Sequence, residues 1–189
     1  MSVLTQTCAR ITPLDPAYFT QAQAHQDMQT KPQGSLGMLE TAANRLVAIA
    51  QGQAPRVDPA RMYTCAADHG VAAQGVSLFP QEVTRQMVEN FIHEGAAINV
   101  LTRTAGVDLK VVDAGCMGGA FSEHPALIQC KVAPGTADLS TGPAMTRPQC
   151  IQALENGIRL AEQAAQEGIV TLGTGEMGIA NTTAATALY

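Results

Sequence analysis

The segment at residues 169–185, IVTLGTGEMGIANTTAA, constrains the fold more than any other part of this sequence. Residues 169–172 are apolar and partly β-branched, which is typical of a buried parallel strand. Residues 179–188 are rich in alanine and predict a helix. The residues between them predict a loop because they include three glycines: Gly173, Gly175 and Gly178. A strand, a glycine loop and a helix in this order direct backbone N–H groups and the positive end of the helix dipole at one point. The segment therefore predicts a site for an anion such as phosphate, or alternatively a tight turn whose glycines serve packing.

The same glycines match a second pattern. Residues 173–178, GTGEMG, satisfy the G-x-G-x-x-G spacing of dinucleotide-binding proteins. That fingerprint also requires an acidic residue at the end of a following strand, about 20 positions further on. The sequence ends at Tyr189 before this test can be made. The match alone is a weak indication of a dinucleotide-binding enzyme.

Composition excludes several classes of protein. The 189 residues are 46% hydrophobic and 14% charged, as expected for a soluble globular chain of one domain or one large lobe. A net charge of −5 and the lack of a basic cluster argue against nucleic acid or an anionic membrane as partner. Five cysteines without a CxxC pair indicate a reducing compartment, and four histidines lack metal-binding spacing. With neither a signal peptide nor an apolar membrane span in the sequence, we expect a cytoplasmic protein.

The N-terminal part predicts two helices. Asp15 and Pro16 fit an N-cap followed by proline at the first helical position, and this helix should run to about Gln29. We therefore expect an N-terminal helical arm at residues 1–30 and an α/β domain at residues 31–189. The second helix follows a loop that contains Lys31, which either binds phosphate or is simply solvated. Its apolar positions share one face: Leu36, Leu39, Ala43, Leu46 and Ala50.

In the rest of the chain, predicted strands alternate with predicted helices. Strands are expected at residues 61–67, 107–113 and 126–132, and helices begin near Pro80 and Ala96 and after Thr146. Thr146 to Gln149 fit a capping box. This alternation predicts an α/β fold, Rossmann-like, with a mainly parallel sheet flanked by helices. The expected buried stripes are Val83, Met87 and Phe91 in one helix and Ile151, Leu154, Ile158, Ala161 and Ala165 in another.

Acidic residues and glycines follow three of the predicted strands. These strand ends are Asp68-His69-Gly70, Asp113-Ala114-Gly115 and Gly175-Glu176-Met177-Gly178. In a parallel sheet, ligands bind beyond the carboxyl ends of the strands, so the three ends should line one crevice. An Asp-His pair can orient an imidazole or hold a ribose. The aperiodic apolar residues of the next loop, Val76, Leu78 and Phe79, suit the wall of a pocket for a flat ring.

Several segments together resemble a known family. They are KPxGSLG at 31–37, ADHGV at 67–71, GVS at 75–77, PQEVT at 80–84, GxAINVL at 95–101, GTAD at 135–138, PAMT at 143–146 and GEMGIANTT at 175–183. In this order they are similar to the nicotinate-nucleotide–dimethylbenzimidazole phosphoribosyltransferases of cobalamin nucleotide-loop assembly. The resemblance covers nearly the whole chain, and its last segment is very specific.

The resemblance implies a reaction. Ribose 5-phosphate would move from nicotinate mononucleotide to dimethylbenzimidazole, with inversion at the anomeric carbon and without a metal or organic cofactor. Carried over by position, the ribose-phosphate side would be formed by Gly175, Glu176, Gly178, Asn181, Thr182 and Thr183. The benzimidazole side would be formed by Ser77, Leu78, Phe79 and Met87, with Asp68, His69 and Gly70 also binding substrate. A homodimer is expected.

Glu176 should act as a supporting catalytic residue. A carboxylate beside a phosphate would be repelled, so we expect it to face a ribose hydroxyl or a ring nitrogen while backbone N–H groups near Gly178 hold the phosphate. The alternative is that Glu176 only caps the following helix.

The resemblance also implies a longer protein. Family members extend well beyond 189 residues, and their general-base glutamate and a phosphate-contacting lysine belong to that further part. Because the sequence stops inside a predicted helix without a cap, we expect the α/β domain to be incomplete at its C-terminal end. Three possibilities stay open: the transferase, a non-catalytic fragment that binds nucleotide or pairs with another subunit, and the dinucleotide-binding enzyme.

Overall fold

The computed structural model describes all residues from Met1 to Tyr189. They form two compact units, one of Thr5–Val57 and the other of Met1–Leu4 with Asp58–Tyr189. The boundary near residue 57 differs from the predicted one near residue 30. Within the first unit, the second predicted helix packs on the first predicted helix.

The unit Thr5–Val57 contains most of α1 (Val3–Arg10) and the whole of α2 (Pro16–Asp27) and α3 (Met38–Ile49). The predicted start of α2 is confirmed, because Asp15 Oδ1 accepts a hydrogen bond of 2.9 Å from the Ala17 N–H. The buried Gln26 side chain joins the two long helices by donating to the Glu40 carbonyl at 2.9 Å and to Asn44 Oδ1 at 2.6 Å. These hydrogen bonds form only when α2 and α3 are packed against each other.

Lys31 belongs to the same unit and is not solvated. Its Nζ lies 2.8 Å from Glu40 Oε1, and both side chains are largely buried. This hydrogen bond, together with one from the Leu36 N–H, lowers the pKa of Glu40. Lys31 is therefore the partner of a structural carboxylate in this fold, which argues against its use as a phosphate ligand.

The second unit is built on four parallel strands, which confirms the predicted α/β fold. They are β1 (Ala60–Ala67), β2 (Asp108–Gly115), β3 (Leu127–Gln129) and β4 (Thr171–Met177), in the order β3-β2-β1-β4. Ala66 aligns with Asp113 on one side and with Met177 on the other. The predicted convergence of three strand ends at one edge is thereby confirmed.

Helices cover parts of both faces of the sheet. On one face α4 (Glu82–Ile92) and α5 (Ala97–Ala105) bury a cluster that includes Ala66, Val88 and Val111. On the other face α6 (Arg147–Gln166) packs Leu160 and Ala164 against Tyr63 and Val112. The last helix is α7 (Asn181–Leu188). No helix is both long and apolar enough to cross a membrane.

The predicted capping box at the start of α6 is confirmed. Thr146 Oγ1 accepts from the Gln149 N–H at 3.4 Å, and Gln149 Oε1 accepts from the Thr146 N–H at 2.8 Å.

The predicted buried stripes are wrong in detail. In α4 the buried residues are Thr84, Val88, Phe91 and Ile92, and in α6 only Leu160 and Ala164 are buried, while Leu154, Ala161 and Ala165 are exposed. Helical spacing predicts that an apolar stripe exists, but the neighbouring sheet decides which side is covered.

The prediction for β4 also needs correction. The strand covers Thr171–Met177, so Gly173, Gly175 and Glu176 lie within it and not in a loop. It forms an edge of the sheet, pairs only with β1 and buries none of its residues. Gly173 allows close packing here, since a Cβ at this position would lie 2.6 Å from Met62 Cε. The G-x-G-x-x-G match is not a strand-to-helix turn, and the dinucleotide interpretation loses its structural basis.

Candidate functional site

The carboxyl edge of the sheet between β1 and β4 is the expected position of a ligand. From β1 the chain adds β2 and β3 on one side and then returns to add β4 on the other side. Open parallel sheets bind ligands at the carboxyl ends of the two strands between which the order reverses in this way. Gly178 follows β4 and packs directly on the end of β1, because a Cβ at this position would overlap the Ala67 carbonyl oxygen. The same Cβ would lie 3.2 Å from His69 Nε2. Because residue 178 is a glycine, the segment after β4 can lie in contact with the loop after β1.

Asp68 joins three segments at this edge. Its N–H donates to the Gly115 carbonyl at 3.1 Å, and its carbonyl accepts from the Thr136 N–H at 3.0 Å. Its Oδ2 accepts from the Met117 N–H at 2.7 Å. The residue is only 2% exposed, and its Oδ1 has no hydrogen-bond partner. Asp68 is therefore held rigidly with one carboxylate oxygen unpaired.

A cavity of about 500 Å³ lies beside Asp68. Met117 forms part of its wall on the sheet side, and polar residues of α4 and the residue before it, among them Gln81, Glu82, Arg85 and Glu89, form the other side. Arg85 directs its guanidinium at the carbonyl oxygens of Gly119 (2.9 Å) and Ala120 (3.3 Å), and it lies 3.9 Å above the Phe121 ring. The cavity is therefore lined by three carboxylates, whereas its one cation, Arg85, is already hydrogen-bonded within the protein. This balance of charge favours a neutral or cationic ligand over an anion.

The loop after β2 carries Met117 and is fixed by Asp113, near the end of β2 itself. Asp113 is fully buried, and its Oδ1 accepts from the Cys116 N–H at 2.8 Å while its Oδ2 lies 3.3 Å from Lys131 Nζ. Lys131 also donates to the Gly118 carbonyl at 3.2 Å. Burial and the charge of Asp113 raise the pKa of Cys116 to about 12, which keeps the thiol protonated. Asp113 thus positions the cavity wall without lining the cavity.

His69 and Gly70 complete the end of β1. Burial lowers the pKa of His69, while the charges of Glu176 and Asp68 act in the opposite direction. The His69 carbonyl accepts from Gln81 Nε2 at 3.0 Å, which ties this loop to the residue before α4. Gly70 is required for packing, because a Cβ there would lie 2.6 Å from the Asp138 backbone nitrogen.

Glu176 lies apart from the cavity. It is exposed near the end of β4, in register with Cys65, and alternation along the strands places both on the sheet face of Tyr63. It does not cap α7, whose N-cap residue is Ala180 with a φ of 69° and without a side-chain cap bond. The helix-capping alternative for Glu176 is therefore wrong.

Several backbone N–H groups of residues 179–183, around the start of α7, already have hydrogen-bond partners within the protein. Ile179 donates to Thr84 Oγ1 at 3.0 Å, Asn181 to the Gly178 carbonyl at 3.0 Å and Thr183 to the Ala180 carbonyl at 3.2 Å. Of the predicted phosphate ligands, Asn181 and Thr183 are half-buried and Thr182 is exposed. Fewer backbone N–H groups are therefore free to bind a phosphate than the sequence predicts.

The predicted apolar wall lies outside this cavity. Leu78 is 99% and Phe79 is 64% exposed, and Ser77 Oγ accepts from the Phe79 N–H at 3.3 Å. Met87 is partly buried and packs against the core under α4. The polar face of α4 cannot be recognised as a cavity wall in the sequence, because carboxylates and an arginine at helical spacing have the pattern of an ordinary solvated face. No group of three or more His, Cys, Asp or Glu side chains is placed to hold a metal ion.

Comparisons with known proteins agree on one family. The family model DBI_PRT, described as a phosphoribosyltransferase, matches residues 11–189. The nicotinate-nucleotide–dimethylbenzimidazole phosphoribosyltransferase of Solidesulfovibrio magneticus is 60% identical over 187 residues, which are 99% of this chain and 53% of that relative. The corresponding protein of Geobacter sulfurreducens is 50% identical over 188 residues, which are 100% of this chain and 53% of that relative.

Solved structures give the same result. The crystal structure of the phosphoribosyltransferase of this name from Thermus thermophilus has a TM-score of 0.86 and 48% identity, and the match covers 92% of this chain and 52% of that chain. This chain spans about half the length of the curated relatives it matches.

Proposed function

The chain belongs to the DBI_PRT phosphoribosyltransferase family, and from that premise we propose that it moves ribose 5-phosphate from nicotinate mononucleotide to dimethylbenzimidazole in cobalamin biosynthesis. The observation that carries the proposal is the 60% identity, over 99% of this chain, to a relative of that name. The products would be α-ribazole phosphate and nicotinate.

The cavity beside Asp68 suits the aromatic base. Its volume of about 500 Å³ exceeds what a two-ring base needs, and Met117 contributes an apolar surface for the ring. Asp68, Glu82 and Glu89 would repel a phosphate but not a neutral heterocycle. We therefore assign the base to this cavity and the ribose phosphate to the neighbouring side of the edge.

The ribose-phosphate side would be the end of β4 and the start of α7. Gly178 permits close approach there, and Asn181, Thr182 and Thr183 bring polar side chains to the helix N-terminus. Glu176 lies within electrostatic reach of His69, which follows Asp68. We propose that its carboxylate accepts a hydrogen bond from a ribose hydroxyl.

The reaction requires mainly positioning. Nicotinate is bonded to ribose through a positively charged ring nitrogen, so it leaves with the bonding electron pair as an uncharged ring. The nitrogen of the incoming base forms the new bond to the anomeric carbon, and the base loses its ring proton to an acceptor. Holding both rings at one carbon supplies much of the rate enhancement, and transfer of the proton supplies a further part.

A second candidate is a nucleotide-binding chain that does not turn over. The observation in its favour is that the chain spans only about half the length of its relatives. Incubation of the purified chain with both substrates, followed by chromatographic detection of α-ribazole phosphate, distinguishes the candidates. Product formation supports the transferase. Binding of nicotinate mononucleotide in titration calorimetry without product supports the second candidate, and binding of neither substrate contradicts both.

Substitution of Glu176 tests its role. Glu176→Gln keeps the shape and removes the charge, and we expect turnover to fall about 10- to 100-fold, the effect of losing one charge-assisted hydrogen bond. The melting temperature should stay unchanged because the side chain is exposed. The matched control is Glu123→Gln, an exposed glutamate of the β2–β3 connection, which should retain full turnover. Normal turnover in Glu176→Gln would exclude the proposed contact. In a chain that does not turn over, the affinity for nicotinate mononucleotide serves as the readout.

We further propose that the protein acts as a homodimer in a reducing compartment, the cytoplasm. Large apolar side chains exposed on α3, among them Leu39 and Ile49, support self-association. The five unpaired cysteines support the compartment.

A further inference from the structure

Thr84 is a buried polar residue of α4 that does not line the cavity. Glu82, Arg85 and Glu89 of the same helix are part of the cavity lining, whereas Thr84 is 0% exposed. Its Oγ1 accepts a hydrogen bond of 3.0 Å from the N–H of Ile179. The two residues lie 95 positions apart in the sequence. This hydrogen bond therefore joins the helix of the base cavity to the segment that follows β4.

The hydroxyl of Thr84 is not needed for the packing of α4. A valine has nearly the same shape, and a buried hydroxyl is unfavourable unless it forms a hydrogen bond. The bond to Ile179 meets this requirement, and it also satisfies the N–H of a residue that is itself only 7% exposed. The polar atom of Thr84 thus serves a contact between two elements.

That contact belongs to a closed set around the junction of the two proposed half-sites. Ile179 lies in the segment between β4 and α7, on the proposed ribose-phosphate side. Gly178, the residue before it, packs on the end of β1. Gln81, three residues before Thr84, donates to the His69 carbonyl at 3.0 Å and so ties the start of α4 to the loop after β1. The segment after β4 is held from both sides, by β1 and by α4.

We propose that Thr84 is a positioning residue that fixes the ribose-phosphate segment relative to the base cavity. The inference rests on the proposed function and deepens it. Transfer requires that the anomeric carbon of the mononucleotide lie next to the ring in the cavity. Because α4 carries both the cavity lining and Thr84, the hydrogen bond to Ile179 relates the two ligands through one helix. Loss of the hydroxyl frees the segment and weakens the mononucleotide, but leaves the cavity intact.

Two substitutions at Thr84 test the proposal in opposite ways. Thr84→Val keeps the shape and removes the acceptor, whereas Thr84→Ser keeps the hydroxyl and removes a methyl group. By titration calorimetry we expect Thr84→Val to bind nicotinate mononucleotide about 10-fold more weakly, the effect of losing one buried hydrogen bond. Its affinity for benzimidazole should stay unchanged. Thr84→Ser should bind both ligands as the wild type does, although its melting temperature falls because of the missing methyl group.

Thr102→Val is the matched control. Thr102 is 6% exposed on the neighbouring α5, and its hydroxyl donates within that helix to the Ile98 carbonyl at 2.8 Å. This variant should keep both affinities. Unchanged mononucleotide affinity in Thr84→Val would overturn the inference and leave the proposed function standing. Equal weakening in Thr84→Val and Thr84→Ser, or of both ligands together, would indicate a general loss of structure and also overturn it.

The wild-type chain provides two further tests. If it fails to bind either of the two ligands, the proposed assignment of the half-sites is overturned, and the inference with it. If Thr84→Val does not fold, amide hydrogen exchange of the ligand-free wild type decides. The Ile179 amide should then exchange as slowly as the amides of β1, because its hydrogen bond holds the segment in place. Rapid exchange at Ile179 would overturn the inference.

Discussion

His69 is a residue of this site whose charge state depends on folding. Burial lowers its pKa below the usual value of 6.5, and the carboxylates of Glu176 and Asp68 only partly oppose this. The unfolded chain therefore takes up a proton at a higher pH than the folded chain does. Stability that is fully present above the unfolded pKa is lost progressively as the pH falls from that value through the lower pKa of the folded chain.

We predict that His69→Gln reduces this acid sensitivity. Urea unfolding at pH 7 and pH 5 gives the change in unfolding free energy for each protein. The change should be smaller in His69→Gln than in the wild type. His25→Gln, which replaces an exposed histidine of α2, should match the wild type. An identical change in unfolding free energy between pH 7 and pH 5 in all three proteins would contradict this prediction, because burial of His69 would then have no effect on the pH dependence of stability.

At the scale of elements, the contact between the ends of β1 and β4 depends on one glycine. A Cβ at Gly178 would overlap the Ala67 carbonyl, and backbone atoms cannot move aside as a flexible side chain can. We predict that Gly178→Ala destabilises the fold by about 1–3 kcal/mol, as overpacking typically does. It should also weaken the binding of nicotinate mononucleotide, because the two loops are pushed apart.

Gly157 provides the contrasting substitution. It lies inside α6 and an added Cβ would meet no atom within 4 Å. Gly157→Ala should therefore stabilise the protein by about 0.5–1 kcal/mol, since alanine loses less conformational freedom in a helix. Denaturant unfolding of both variants measures the difference. Tolerance of Gly178→Ala without loss of stability would show that the strand ends can separate freely.

At the scale of the whole molecule, the notable feature is apolar surface that remains exposed. On α3, Leu39 is 68% and Ile49 is 58% exposed, and Leu36 just before the helix adds to this surface. We predict that the purified chain self-associates, with a mass that rises with concentration in light scattering. A charge at one of these positions, Leu39→Lys, should weaken association about 10-fold or more, the effect of losing one buried leucine.

A suitable control for this experiment is Ile11→Lys, which charges another exposed apolar residue away from α3. It should leave association unchanged if α3 forms the contact. A wild-type chain that stays monomeric at all concentrations would contradict the prediction and with it the proposed homodimer.

Much of the fold was predictable because its signals are local. The N-cap at Asp15 and the capping box of Thr146 and Gln149 each depend on a few neighbouring residues. The convergence of Asp68 and Asp113 was also predictable, since parallel strands end at a common edge. Family membership followed from segments spread along almost the whole chain.

The remaining features depend on contacts between distant residues. Pairing with β1 extended β4 through the glycines and left Glu176 exposed, and the sheet selected which side of α6 is buried. The polar face of α4 became a cavity wall only because the loop carrying Met117 lies opposite, held by Asp113 and Lys131. Most of the elements, their order and the sheet edge at which the three strand ends meet follow from the amino-acid sequence alone, because they depend on local chemistry and chain direction. The folded structure is needed to show which carboxylates line the cavity and that one oxygen of Asp68 has no partner, because burial and pairing depend on residues that are distant in the sequence.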